Sequence, residues 1–181
     1  MSTLSAGAWV GDPVHSDISF KVRHMGVGKV RGEFALVSAA LSVGEGGGQV
    51  TALIDPASVR TGNEQRDQHI RSADFLDVEK YPRIEFTSTG VRGFDGETFI
   101  LVGELTLHGV TRTVELEAEL LGFVDDPSGA ERTGFSATTV ISRAAFGVDI
   151  QLAFGAGDLV VADTVEIAIE IEFTSTGPDP R

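Results

Sequence analysis

Four histidines, His15, His24, His69 and His108, are the first place to look for chemistry in this chain. No two have metal-ligand spacing and no HExxH segment occurs, so no zinc site is expected. His24 and His108 stand beside glycines at the ends of apolar-alternating segments, which suits a turn or a rim. Cysteine is absent, which removes disulfides, thiolate catalysis and sulfur-ligated metal centres. No Gly-x-Ser-x-Gly elbow presents a nucleophile. Asp67 and His69, two apart on a predicted helix, do not share a face and make a weak acid–base pair. Glycine-rich phosphate loops are absent as well. The residue types therefore predict no catalytic residue, no metal and no cofactor.

The elements that hold these residues are strands. Val165, Ile167, Ile169, Ile171 and Phe173 fall on one face of a segment whose other face carries Glu166, Glu170 and Glu172. Val114, Leu116, Ala118 and Leu120 alternate with Glu115, Glu117 and Glu119; Ile18, Phe20 and Val22 alternate with Ser19, Lys21 and Arg23; Ile84 and Phe86 flank Glu85. Strict alternation gives each strand one dry and one wet face, as antiparallel sheets require. Turn chemistry punctuates the strands at Gly44–Gly48, Asp95-Gly96, His108-Gly109 and Asp126–Gly129. Short links between consecutive strands make an up-and-down meander the simplest topology. The apolar phase slips from even (Val30, Phe34, Leu36) to odd (Val37, Ala39, Leu41, Val43), which predicts a bulge near Leu36.

One helix interrupts the strands. Thr61-Gly62-Asn63-Glu64 has capping-box spacing, and Asp67 with Arg71 makes an i,i+4 pair. Ile70 is the one apolar residue in Glu64–Ser72, so shallow packing is expected, as a connector or as a lid. Residues 1–174 read as a single domain and 175–181, with Pro178 and Pro180, as a disordered tail. The expected fold is all-β: an antiparallel barrel of about eight strands with one short helix between strands. A closed sheet of that size is either packed solid or holds one small ligand, and composition leaves the two readings equal.

The net charge of −13 favours solubility, and no basic stripe for nucleic acid is visible. It also predicts repulsion from an anionic membrane surface. No apolar run approaches the ~18 residues of a membrane-spanning helix. Met1–Gly7 has neither a basic nor an apolar leader segment, so a cytoplasmic setting is expected.

Four segments carry a resemblance: HSDISFKVRHMGVGKVRGEF (His15–Phe34), ASVRTGNEQRDQHIRSADFLDVEKYPRIEFTST (Ala57–Thr89), VGELTLHGVTRTVEL (Val102–Leu116) and ISRAAFG (Ile141–Gly147). In this order they are similar to the YceI-like, polyisoprenoid-binding family, and with the closing strand they span nearly the whole chain. The resemblance implies a lipocalin-like barrel that is hollow and holds a long isoprenoid or similar amphiphile. It also implies that Arg66, Asp67 and His69 form the family's Arg-Asp-x-His motif, and that Arg143 with Phe146-Gly147 forms its Arg-x-x-Phe-Gly motif. These four polar residues are candidates for the rim or for a lipid head group, with a structural role as the alternative. Asp125–Arg132 and Asp149–Asp163 depart from the family pattern.

The expected function is binding, storage or transport of such a lipid. The alternatives are a solid-core dimeric interaction module, or an enzyme on a lipid-like substrate using Arg66, Asp67 or His69. Phe20, Val22, Phe34, Ile84, Phe86, Leu101, Leu105, Leu116, Ile167 and Ile169 lie on the inward faces and are the expected ligand lining. Ile100 and Val102 make the opposite face of their strand apolar too, which points to a covering element or a homodimer.

Overall fold

The computed structural model describes residues 4–150, 153–154 and 158–177. The strands are β1 (Gly7–Gly11), β2 (Asp17–His24), β3 (Gly28–Gly44), β4 (Gly47–Arg60), β5 (Ile84–Arg92), β6 (Thr98–Leu107), β7 (Val110–Asp125), β8 (Glu131–Ser142), β9 (Ala153–Phe154), β10 (Asp158–Leu159) and β11 (Val161–Gly177). One helix, α1 (Glu64–Arg71), lies between β4 and β5, and a 3-10 turn (Ala144–Phe146) follows β8. Strands β2 to β8 pair consecutively, and β11 pairs with both β8 and β2. The result is an eight-stranded closed antiparallel barrel, with β9 and β10 as a separate small hairpin. Closure leaves the sheet without an exposed edge.

One slot of the barrel is filled by two strands. β2 pairs with the first part of β11 and of β3, whereas β1 pairs with their other ends, Phe173–Gly177 and Ala40–Val43. The break between them is held by Asp12, whose Oδ1 accepts from the amides of Val14 and His15 at 2.9 and 3.3 Å. β1 brings in Trp9, the single tryptophan, which is 1% exposed and packs with Leu36, Ala39, Leu41 and Phe173. Its indole Nε1 donates to the Ser5 carbonyl at 3.2 Å. A five-residue strand is too short to show a period, so this element has no signature in the sequence pattern.

The phase slip at Leu36 is a real irregularity: the β3–β4 register shifts at Glu33/Ala35 and again at Leu36/Ser38. The chain end differs from the expected tail. Residues 175–177 continue β11, with Ser175 opposite Trp9 and Gly177 opposite Ala8. The unforeseen β1 supplies their partner; residues 178–181 lie outside the described part.

The helix start also differs. Asn63, not Thr61, is the N-cap, and its side chain accepts from the Arg66 amide at 2.9 Å. The expected Asp67–Arg71 pair does not form. Asp67 turns back to Thr61 (below), and Arg71 reaches β4, donating to the carbonyls of Ala57 and Val59 at 2.8 and 3.1 Å and pairing with Glu64. Carbonyls left unpaired at the end of β4 offer Arg71 stronger partners than an exposed i,i+4 contact would.

Candidate functional site: the barrel interior

The barrel is hollow. Its interior holds a cavity of about 800 Å³ whose wall is almost wholly aliphatic and aromatic. Sites for small ligands span roughly 300–1,000 Å³, so the space is large for its class. All ten residues expected to face inward, Phe20, Val22, Phe34, Ile84, Phe86, Leu101, Leu105, Leu116, Ile167 and Ile169, lie on that wall. Further wall residues come from the same alternation, such as Leu36, Phe135 and Ile171. Phe75 and Leu76, just past the helix, also line the cavity and have no periodic signal.

Two glycines help keep the middle open. A Cβ on Gly32 would stand 2.3 Å from the Phe20 ring, and one on Gly103 would stand 2.4 Å from the Phe86 ring. Both rings therefore reach over a glycine of the neighbouring strand, at a place where a side chain would displace them. Glycine inside a strand pattern is the sequence mark of such close approach.

The two ends of the cavity are built differently. Toward the Trp9 end, Phe94, Phe99, Phe135 and Phe173 form a run of edge-to-face contacts with centroids 6.0, 6.2 and 6.1 Å apart. This geometry suits aromatic quadrupoles. The opposite end carries α1, the β2–β3 hairpin and the 3-10 turn, and here Arg23, His24, Arg66, His69 and Arg143 reach the cavity lining.

The polar residues at this helix end are tied to the frame. Asp67 is 4% exposed and accepts from both the amide and the hydroxyl of Thr61, at 2.9 and 2.5 Å. Arg66 donates from Nε to Thr61 Oγ1 (2.7 Å) and from Nη2 to the Thr61 carbonyl (2.8 Å). His69 Nε2 is 2.8 Å from Asp74 Oδ2, and its ring meets Phe75 edge-on. The structure thus brings Arg66 and Asp67 together on Thr61 and leaves His69 and Arg143 apart from them. Arg143 is 7% exposed and donates to the carbonyls of Ala162, Val148 and Val161 at 3.0, 2.7 and 3.0 Å. Beside it, Asp163 is held below the ordinary carboxylate range by the Ser142 hydroxyl and the Ala144 amide. Together these contacts fasten β8, the 3-10 turn and β11 to one another. No buried side-chain nitrogen or oxygen among the described residues lacks a partner.

Among the described residues one trio, Asp12, His15 and Glu172, has metal-ligand spacing. Arg132 stands in it, with Nη1 3.5 Å from Asp12 and 3.8 Å from Glu172, so a cation is already present. No helix of the described residues is long and apolar enough to cross a membrane. On the outer face, Ile100 and Val102 are partly covered and stand opposite Glu117 and Glu115 of β7. Arg92, opposite Ile100 on the other side, pairs with Glu115 at 2.5 Å.

The sequence model described as YceI-like domain matches residues 9–173. The chain belongs to the YceI-like family. It is 39% identical over 141 residues to protein YceI of Escherichia coli, covering 76% of this chain and 73% of that protein. Among solved structures, Campylobacter jejuni YceI superposes with a TM-score of 0.71 at 27% identity, covering 98% of this chain and all of that one. A polyisoprenoid-binding domain from Saccharophagus degradans superposes with a TM-score of 0.68 at 14% identity, covering 92% and 98%. That last likeness is one of fold.

Proposed function

We propose that this YceI-like barrel binds one long-chain isoprenoid or similar amphiphilic lipid in its interior, for storage or transport. The observation that carries the reading is the apolar cavity of about 800 Å³ inside a closed sheet. Affinity then follows from transfer energy. Each methylene removed from water contributes roughly 0.8 kcal/mol, so some tens of carbons exceed an association cost of ~4–15 kcal/mol. Burial is non-directional, which makes such a site tolerant of chain length and saturation. The name of the Saccharophagus degradans domain agrees with an isoprenoid as the cargo.

The reading is one of binding and not of catalysis. Three of the polar groups that line the cavity already serve as fastenings: Arg66 to Thr61, Arg143 to three carbonyls and His69 to Asp74. A general acid or base needs a free partner position within hydrogen-bond reach of the reacting atom.

Organic extraction of protein purified from its own source, followed by mass spectrometry, tests the proposal. One lipid per barrel is expected. A barrel that emerges empty, and that fails to take up a fluorescent polyprenyl probe, ends it. A homodimer through the face of Ile100 and Val102 is the oligomeric part of the proposal; a monomer mass by sedimentation at micromolar concentration removes that part alone.

A further inference from the structure

The net charge of −13 is unevenly spread. Residues 18–32 contain Lys21, Arg23, Lys29 and Arg31 and no Asp or Glu. They form the β2–β3 hairpin, whose register sets Lys21 opposite Arg31 and Arg23 opposite Lys29. Like charges directly opposed weaken an antiparallel pair, so sheet stability does not account for this arrangement. Among the described residues one ion pair relieves it, Lys29 with Glu166 at 3.1 Å, and that pair is exposed.

The tip of the same hairpin is apolar. Val27 is 92% exposed and Met25 40%. Met25 also holds a left-handed φ of 52°, a conformation that residues with a side chain disfavour. Neither residue finds a core to pack against. The tip stands at the cavity rim: the Met25 amide donates to the Val160 carbonyl at 2.9 Å, and Arg23, His24 and Val160 all reach the cavity lining.

We propose that this hairpin docks the barrel, helix end first, on an anionic lipid bilayer. Basic residues are drawn to the negative surface potential of such a bilayer, and Met25 and Val27 then enter the apolar layer beneath the head groups. The acidic remainder of the protein is repelled, so the same field that attracts the hairpin orients the barrel. This orientation turns the cavity rim toward a reservoir of apolar cargo. The proposal rests on the lipid-binding reading for its purpose, though not for its charge and exposure.

The test is sedimentation of the full chain with vesicles at low ionic strength. One set is phosphatidylcholine alone, the other an equal mixture of phosphatidylcholine and phosphatidylglycerol. Binding to the mixed vesicles only is expected, weakening as added salt screens the surface. The double variant Arg23→Gln/Lys29→Gln lowers binding at least tenfold, since each basic residue at such a surface contributes about fivefold. Val27→Asp, at a site with no packing to lose, lowers it roughly tenfold. Unfolding midpoints of both variants confirm the fold. No binding to the mixed vesicles, as expected if the hairpin instead meets an acidic protein, overturns the proposal; so does binding that salt and both variants leave unchanged. Cavity lipid is measured by extraction from the same preparation. A loaded barrel that ignores vesicles overturns docking alone, and an empty barrel that sediments with them overturns the cargo reading alone.

Discussion

The two ends of the barrel are held by opposite means. At one end Trp9 is sealed among Leu36, Ala39, Leu41 and Phe173 and backed by the Phe94–Phe99–Phe135–Phe173 run. At the other, α1 buries a carboxylate: Asp67 is its one buried residue, and the contacts that hold it are hydrogen bonds to Thr61 and from Arg71 to β4. Dispersion and burial are lost only when the whole sheet separates. Hydrogen bonds at a rim exchange with water one at a time, so an element held by them belongs to the low-stability, locally opening part of a fold. The difference predicts that the helix end opens locally before the Trp9 end does.

Substitutions at the two ends should therefore differ in kind as well as in size. Trp9→Ala should cost about 3–5 kcal/mol, read as a shift in the urea unfolding midpoint; a shift much smaller than this would mean that the Trp9 end is not the firmer of the two. Asp67→Ala should cost about 1–3 kcal/mol, because it strands the Thr61 donors. Its signature is faster amide exchange confined to residues 61–72, and acceleration spread over the whole barrel would erase the contrast between the ends. Asn63→Ala, which removes the N-cap, should cost about 1 kcal/mol and show the same local exchange pattern more weakly. The smallest effect is a pH dependence from Asp12 and His15, outside the Trp9 cluster. Their hydrogen bond at 2.8 Å lowers Asp12 from 3.8 to about 2 and raises His15 above 6.5. Asp12 stabilises fully above pH 3.8, and its share is lost as pH falls toward 2; the share of His15 is present below 6.5 and lost as pH rises through its raised value. Both are solvent-screened, so Asp12→Asn should flatten a shallow pH profile without moving the midpoint as far as Asn63→Ala.

Much of this was legible in the residues. The alternation in Val165–Phe173 placed β11, the phase slip at Leu36 placed the bulge, and His108-Gly109, both left-handed at φ 53° and 72°, made the β6–β7 turn. The inward faces follow directly, since register and alternation together decide which side chains meet the axis. Hollowness does not follow. The same inward residues would serve a solid barrel; what differs is where the rings lie, as with Phe86 over Gly103. The strand that carries Trp9 has no signal in the residues, because five positions show no period. The helix start was misplaced because Thr61 and Asn63 are both cap-forming types, and only the fold decides that Thr61 is spent on Asp67. The four cations of the β2–β3 hairpin lie close together in the sequence, within residues 21–31, and what the fold adds is their direct opposition, Lys21 to Arg31 and Arg23 to Lys29.

The divided slot has a consequence for how the molecule comes into being. β11 is the partner of β8 on one side and of both β2 and β1 on the other. Until β11 emerges from the ribosome, the meander from β2 to β8 is a curled sheet with two raw edges and an uncovered greasy face. Pairing across more than a hundred residues is slow compared with hairpin formation. The half-made barrel is therefore the aggregation-prone species of this fold, and β11 is the strand that ends its exposure.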